Sequence, residues 1–166
     1  MKNLIGGRLV DASDGKVIEV TNPATGELID TVPNATEQDV DMCVKEAVKA
    51  QKAWAKMPIH ERGDILYKFV DLVEAKTEEL AELLSKETGK PIKEARGEIA
   101  NTRSFVYGYV EKAKHEYGSV IPAGTEKGQE KTIQMTFQEP LGVVGCIIPF
   151  NFPSDLFGQK VPSALI

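Results

Sequence analysis

The first 32 residues alternate between short apolar runs and turn signals. The apolar runs lie within residues 4–10, 17–20 and 28–32, and Asp14-Gly15 separates the first two. Asp-Gly between apolar runs is a favoured tight-turn sequence. The pattern therefore predicts a series of short strands at the start of the chain.

Apolar residues then recur with the 3.6-residue period of helices. Thr36-Glu37-Gln38-Asp39 has the form of a capping box, which predicts the start of a first helix. Pro58 interrupts the pattern, and a second helix is expected from there to Gly89. A third helix is expected from Pro91 to Gly118, since glycine commonly follows a helix and proline commonly starts one.

The pattern changes again in the last quarter of the chain. Residues 131–137 alternate strictly between apolar and polar side chains, which predicts a strand with one solvent-facing side. Residues 143–148 are apolar throughout, which predicts a strand buried on both faces of a parallel sheet. The two different periods suggest that the chain passes from one sheet to another near Pro140.

Composition and charge exclude several classes of protein. The chain has 166 residues, of which 42% are hydrophobic and 27% charged, and its formal net charge is −5. Lys and Arg are scattered rather than clustered, which argues against nucleic-acid binding. No apolar stretch is long enough to cross a bilayer, and no apolar signal core follows the first residues. We therefore expect a cytoplasmic protein that binds neither nucleic acid nor membranes.

The cysteines and histidines form no recognisable motif. Cys43 and Cys146 lie far apart, and an apolar setting makes a thiol inert, so we expect both to pack in the core. Cys146 nevertheless remains the candidate for a nucleophile or a redox thiol. His60 and His115 have no second ligand at metal-binding spacing, so no metal site is predicted.

Two acidic residues stand one turn apart on the third predicted helix. Glu94 and Glu98 have Lys93 and Arg96 close by in the sequence. Acidic and basic residues mixed in this way usually form a solvent-exposed helix face. We therefore expect Glu94 and Glu98 to face solvent.

The segment Pro149-Phe150-Asn151-Phe152-Pro153 is the main candidate for chemistry. The prolines restrict the backbone on both sides of Asn151. A fixed carboxamide NH₂ can donate to a developing oxyanion, which stabilises a transition state by about 3 to 4 kcal/mol in a dry pocket. In the alternative interpretation, Asn151 simply caps a turn or the helix that begins near Pro153, and spacing alone favours that alternative.

An ordered series of motifs along almost the whole chain resembles the NAD(P)-dependent aldehyde dehydrogenases. Singly most of these motifs are weak, but their order makes the series specific. The motifs are Ile5-Gly6-Gly7-Arg8, Asn22-Pro23-Ala24-Thr25-Gly26-Glu27, Ala53-Trp54, the segment 58–62, Glu87-Thr88-Gly89-Lys90-Pro91-Ile92, Glu139-Pro140-Leu141-Gly142-Val143-Val144-Gly145 and the segment 149–153.

The resemblance implies an incomplete α/β fold of the aldehyde dehydrogenase type. It would comprise N-terminal strands, three helices, one oligomerisation-type strand and the first buried strand of a Rossmann-like parallel sheet. Residues 1–120 would be the N-terminal strands and helices of the cofactor-binding domain. Residues 121–139 would be the oligomerisation-type segment, and residues 140–166 the start of the Rossmann-like core. The complete enzyme is expected to be a homo-oligomer.

The resemblance also implies oxidation of a small aldehyde to a carboxylic acid, with NAD or NADP as cofactor. In the family, a cysteine thiolate forms a thiohemiacetal, hydride passes to the nicotinamide and a glutamate activates water. Asn151 would donate its side-chain NH₂ to the oxyanion. Ile147, Ile148, Pro149 and Phe150 would line the cofactor cleft. Phe150 replaces the family's usual Trp, which favours small or semialdehyde substrates.

Members of this family are much longer than 166 residues. The resemblance implies that the nucleophilic cysteine and the general-base glutamate would follow Ile166, so we expect an N-terminal portion that is inactive alone. The alternative is a non-catalytic assembly or interaction module that uses the same scaffold.

Overall fold

The computed structural model describes all 166 residues and contains three two-stranded antiparallel sheets and five α-helices. The sheets pair β1 with β2, β3 with β4 and β5 with β6. The strands are β1 Asn3–Ile5, β2 Arg8–Val10, β3 Val17–Thr21, β4 Leu28–Pro33, β5 Val120–Ile121 and β6 Gln134–Met135. The helices are α1 Glu37–Trp54, α2 Ile59–Ala75, α3 Thr77–Thr88, α4 Ile92–Ala113 and α5 Pro153–Leu165.

The strands predicted near the start of the chain are confirmed as two hairpins. Gly6 and Gly7 connect β1 to β2 with φ values of 56° and 75°. Positive φ at both central residues matches the turn that suits the twist of a two-residue hairpin, and glycine adopts it without strain. The second hairpin pairs residues 17–21 with residues 28–33 and is irregular at Val20 and Thr21.

The predicted capping box at the start of α1 is also confirmed. The Thr36 hydroxyl accepts a hydrogen bond from the Asp39 N–H, and the Asp39 carboxylate accepts one from the Thr36 N–H at 2.8 Å. Asp39 is buried and also accepts from the Ser13 N–H, which ties the loop after β2 to the helix. These hydrogen bonds, that from Thr36 most of all, lower the pKa of the Asp39 carboxyl below its ordinary value.

The second predicted helix is in fact two helices. The α2 helix ends at Ala75, and α3 begins at Thr77 after Lys76, whose φ and ψ are −114° and 18°. The Thr77 hydroxyl donates to the Glu74 carbonyl at 2.9 Å, so it satisfies one of the carbonyls left free at the end of α2. The predicted end of this region at Gly89 is confirmed, since Gly89 follows α3 with a left-handed φ of 75°.

The core is built around α4, which packs against α2, α3 and α5. This helix ends at Ala113, five residues before the predicted Gly118. None of the five helices combines the length and apolar character that crossing a bilayer would require. One buried cluster joins α2 to α4 and a second joins α3 to α4. The clusters consist of Leu66, Val70, Val106 and Val110, and of Ala81, Leu84, Ala95 and Ile99.

The two strands predicted in the last quarter form only in small part. Within residues 131–137, only Gln134–Met135 is paired, with Val120–Ile121. Residues 143–148 form no strand, and Ile147 is 87% exposed, so the prediction of a buried strand is wrong for this structure. From Phe137 to Asn151, no backbone group joins a backbone–backbone hydrogen bond. A parallel strand needs a neighbouring strand to complete its ladder, and none of the six strands lies beside this segment.

Candidate functional site

Asn151 lies in the turn that leads into α5. Pro153 occupies the first position of this helix, where its missing N–H costs nothing. Phe152 is the N-cap residue, and no side chain makes a local capping bond there. Asn151 therefore does not cap α5, so the helix-capping part of the alternative is wrong for this structure.

The carboxamide of Asn151 is free, whereas its backbone is anchored. The one hydrogen bond that Asn151 makes is through its backbone carbonyl, which accepts from Lys90 Nζ at 3.0 Å. The residue is exposed on a surface pocket of about 230 Å³. The pocket is lined by Thr88, Gly89, Lys90, Glu94, Phe150, Asn151 and Phe152. Asn151 thus presents an unused NH₂ donor on a fixed backbone.

The position of Lys90 is set by the end of α3. Gly89 adopts the left-handed conformation that ends the helix, and the Ser85 hydroxyl then donates to the Lys90 carbonyl at 2.7 Å. The Lys90 side chain is 10% exposed and forms an ion pair with Glu98. Its Nζ also lies 4.4 Å from the centroid of the Phe152 ring, a cation–π distance. One ammonium group therefore contacts Glu98, Asn151 and Phe152.

Glu98 is buried, contrary to the expectation of a solvent-exposed face. It is 3% exposed, whereas Glu94 one turn away is exposed. Glu98 Oε1 accepts from the Ser154 N–H at 2.7 Å and from the Asp155 N–H at 3.3 Å. These are free N–H groups in the first turn of α5, where a negative charge is favoured. Glu98 therefore supplies from α4 the cap that α5 lacks locally.

The sequence does contain a signal for the burial of Glu98. Ala95 and Thr102 lie three residues before and four residues after it, and both are buried. Those spacings put all three side chains on the same helix face. Thr102 also contacts α5, since its hydroxyl lies 3.0 Å from the Ser154 hydroxyl. The charged neighbours of Glu98 suggested exposure, whereas its helical spacing from Ala95 and Thr102 places it on the buried face of α4.

Asp155 adds a second carboxyl to the first turn of α5. Burial raises the pKa of Asp155, and the negative charge of Glu98 raises it further. A hydrogen bond from Asn101 at 3.4 Å acts in the opposite direction. Two carboxyl groups, those of Glu98 and Asp155, thus lie at the start of α5, and Lys90 is the cation close to them.

The structure brings together some, but not all, of the residues predicted for the site. Phe150 and Asn151 line the same pocket, whereas Ile147, Ile148 and Pro149 do not. Ile147 and Phe150 are each 87% exposed. Ile148 is half-buried and Pro149 is exposed. Three of the four predicted cofactor-cleft residues are thus exposed, and Ile148 is not.

Neither cysteine lines the pocket at Asn151. Cys43 is exposed, so the prediction that it packs in the core is wrong, and Cys146 is half-buried. No group of three or more His, Cys, Asp and Glu side chains is arranged to hold a metal ion. A larger cavity of about 580 Å³, bordered by Trp54 and Leu141 among others, contains none of the predicted site residues.

The chain belongs to the aldehyde dehydrogenase family, whose model matches residues 9–166. Among curated relatives, it is similar to the mitochondrial succinate-semialdehyde dehydrogenase of Arabidopsis thaliana, with 38% identity over 99% of this chain and 30% of the relative. It is also 38% identical to the glutarate-semialdehyde dehydrogenase of Pseudomonas putida, over 97% of this chain and 33% of the relative.

The fold is likewise similar to solved aldehyde dehydrogenase structures. The NADP-dependent glyceraldehyde-3-phosphate dehydrogenase from Bacillus halodurans C-125, complexed with NADP, superposes with a TM-score of 0.93 and 36% identity. That comparison covers 98% of this chain and 34% of the solved chain. The resemblance and the partial α/β fold class predicted from sequence are therefore confirmed. The chain spans about a third of the length of the relatives it matches.

Proposed function

We propose that this chain supplies the oxyanion donor and one wall of the cofactor site of an NAD(P)-dependent aldehyde dehydrogenase. The complete enzyme would oxidise an aldehyde to a carboxylic acid. Membership of the family and the names of the similar proteins support this proposal. The observation that carries it is the Asn151 carboxamide, which has no hydrogen-bond partner in the chain although Lys90 anchors its backbone.

The chemistry of Asn151 follows from this arrangement. A carboxamide is neutral at all relevant pH values, so its NH₂ can donate to a negatively charged oxygen without a change of protonation. A donor that is already positioned needs no reorganisation when charge develops on the substrate oxygen. The remaining catalytic groups, a thiolate nucleophile and a carboxylate base, are not assigned to residues of this chain.

The residues of the 147–150 segment fit one wall of a dinucleotide site. Ile147 and Phe150 offer accessible apolar surface, and the backbone groups of the segment have no backbone partners. No acidic side chain belongs to this segment, so none there repels a phosphate. We propose that Ile147, Ile148, Pro149 and Phe150 contact NAD or NADP, which when bound would accept hydride from the substrate.

The domain assignment extends the proposal to assembly. Residues 1–120 would form the N-terminal strands and helices of the cofactor-binding domain, and residues 140–166 the start of its Rossmann-like core. Residues 121–139 would form an oligomerisation segment of a homo-oligomer. Exposed apolar side chains around β6, including Ile133, Met135 and Phe137, support this role. Strand edges of this kind favour pairing with further strands.

The substrate class and the location are narrower parts of the proposal. Two of the similar proteins are named semialdehyde dehydrogenases, and together with Phe150 they favour a small semialdehyde. A cytoplasmic location remains a prediction, and the similar Arabidopsis enzyme is named mitochondrial.

The test uses the native polypeptide that carries these 166 residues. Aldehyde-dependent formation of NADH or NADPH is followed with succinate semialdehyde for the unchanged protein and for Asn151→Ala. Loss of one oxyanion donor lowers kcat by about 10²- to 10³-fold. Asn151→Asp is expected to be at least as impaired, because its carboxylate repels an oxyanion.

Asn34→Ala is the matched control, since Asn34 is an exposed asparagine between β4 and α1 whose side chain makes no hydrogen bond. It should leave kcat unchanged. Full kcat in Asn151→Ala would refute the assigned role. Absence of turnover with both nucleotides, over a panel of small aldehydes and semialdehydes, would contradict the proposed activity.

The exposed apolar side chains also support the alternative of a non-catalytic assembly module. Phe137, Leu141 and Ile147 are all largely exposed, and a binding partner would cover them. The two proposals differ in what Asn151→Ala does. An assembly module would lose nothing measurable with this substitution, because Asn151 is not part of that apolar surface.

A further inference from the structure

The ion pair between Lys90 and Glu98 is buried against the turn that carries Asn151. We propose that this pair fixes the position of Asn151, so that Lys90 and Glu98 act as positioning residues for the oxyanion donor. The inference rests on the proposed function, because it assigns the pair to the same site.

The first step of the argument is that Lys90 contacts the turn directly. Its Nζ donates to the Asn151 carbonyl at 3.0 Å and lies 4.4 Å from the Phe152 ring centroid. The Asn151 backbone makes no other hydrogen bond. Lys90 is therefore the main restraint on the backbone from which the carboxamide projects.

The second step is that Glu98 connects the two sides of this turn. Its Oε2 pairs with Lys90, and its Oε1 accepts from the Ser154 and Asp155 N–H groups. The same carboxylate thus fixes Lys90, which restrains the turn, and the first turn of α5, which follows it. The turn that carries Asn151 is therefore restrained on one side by Lys90 and on the other by the start of α5, and both contact Glu98.

Stability alone does not explain why these residues are charged. Burying two charges costs desolvation energy, and replacing a buried ion pair by apolar side chains is often neutral or stabilising. An apolar pair could not donate to the Asn151 carbonyl or accept from the start of α5. The charges are explained by the geometry that they impose on the turn.

The chain offers a matched control on the same helix. Arg96 on α4 pairs with Glu78 on α3 through N–O distances of 2.8 to 3.0 Å, and both side chains are exposed. This pair makes no hydrogen bond to the turn. Glu78→Gln removes one carboxylate charge from an ion pair of α4, as Glu98→Gln does, but without any link to Asn151.

The main experiment measures kcat and KM of Glu98→Gln in the native polypeptide with succinate semialdehyde. Glutamine keeps an oxygen that can accept from the Ser154 N–H, so we expect the fold to be retained. It has no negative charge, so its interaction with the Lys90 ammonium group is weaker. Misplacement of a reacting group by 1 Å costs up to about 10²-fold. We expect kcat to fall by about 10- to 10²-fold while KM for the aldehyde stays unchanged, and Glu78→Gln to match the unchanged protein.

A double-variant cycle separates positioning from general structural damage. If Glu98 acts through Asn151, then Glu98→Gln should cause no further loss of kcat in an Asn151→Ala background. Equal losses in both backgrounds would overturn the inference. Asn151→Ala without effect would refute the proposed function, whereas a large effect of Asn151→Ala with normal kcat in Glu98→Gln would refute only the positioning role.

Two further measurements keep the inference testable if folding or turnover is lost. Lys90→Met leaves Glu98 buried and unpaired, so it is combined with Glu98→Gln. The double variant should unfold cooperatively and show the same reduced kcat as Glu98→Gln. A normal kcat in the double variant would contradict the inference. Amide hydrogen exchange at Ser154 and Asp155, whose N–H groups donate to Glu98, needs no turnover. It should accelerate in Glu98→Gln, because an amide oxygen is a weaker acceptor than a carboxylate, but not in Glu78→Gln, and unchanged exchange would overturn the inference.

Discussion

Replacing Gly63 by alanine tests how closely α2 approaches α4. Gly63 is buried within α2, and a Cβ atom added to it would lie 2.8 Å from Cγ1 of Val110. Carbon atoms in contact normally lie about 3.5 to 4.0 Å apart. Val110 is fully buried, and valine in a helix is restricted to nearly one rotamer. The added methyl group therefore requires the helices to move.

The change in the free energy of unfolding combines a gain in helix propensity with a cost of overpacking the core. Alanine in a helix interior is more favourable than glycine by about 1 kcal/mol. Overpacking a well-packed core costs about 1 to 3 kcal/mol. We therefore expect Gly63→Ala to lower the free energy of unfolding by about 0 to 2 kcal/mol.

Two exposed glycines of α4 provide the control for this substitution. Gly97 and Gly108 lie in the helix interior with no atom within 4 Å of an added Cβ. Alanine at either position should raise the free energy of unfolding by about 0.5 to 1 kcal/mol, through helix propensity alone. The assay is urea unfolding followed by circular dichroism, with m-values compared between variants.

The result that would refute the reasoning is stabilisation by Gly63→Ala equal to that by Gly108→Ala. A second check uses Val110→Ala, which removes the crowding methyl group. In that background, Gly63→Ala should become stabilising by about 1 kcal/mol, because only the propensity term remains. If Gly63→Ala remains destabilising in that background, the Val110 side chain is not the cause of the steric conflict.

Two further predictions concern stability. The pKa of Asp39 is lowered in the folded state, so its charged form contributes stability that is full above the ordinary pKa of 3.8 and is lost as the pH falls through the folded pKa. Asp39→Asn should therefore lower the melting temperature more at neutral pH than well below pH 3.8, and a pH-independent difference would contradict this. Gly89→Ala should cost about 1 to 2 kcal/mol for its left-handed φ, and more because its Cβ would lie 3.0 Å from Pro23. Gly26→Ala has the same φ of 75° and no neighbour within 4 Å, so equal losses in urea unfolding would rule out crowding by Pro23.

Features that depend on neighbours in the sequence could be predicted. The capping box at Thr36 and the helix end at Gly89 are local, because their partners lie within a few residues. The break at Lys76 could not be predicted in the same way. Ala75 and Lys76 both favour helix, so nothing in their intrinsic propensities marks the end of α2.

Features that depend on distant residues were predicted less well. Residues 143–148 have the composition of a buried parallel strand, but a strand forms only when another strand pairs with it. Glu98 was expected in solvent because its sequence neighbours are charged, whereas α5, more than 50 residues later, covers it. For Asn151, the sequence alone left open whether its side chain caps α5, and the structure excludes this because Phe152 is the N-cap residue and no side chain makes a local capping bond.

The cap that Glu98 provides for α5 has a consequence for the order of folding. The α5 helix has 13 residues and contains Pro162, so it is marginal as an isolated helix. Its N-terminal hydrogen bonds reach back 56 and 57 residues along the chain, which makes its formation a non-local event that follows the assembly of α4. The turn at Asn151 therefore acquires its final shape late. A molecule that binds to that turn only in its final shape would also stabilise the attachment of α5 to α4.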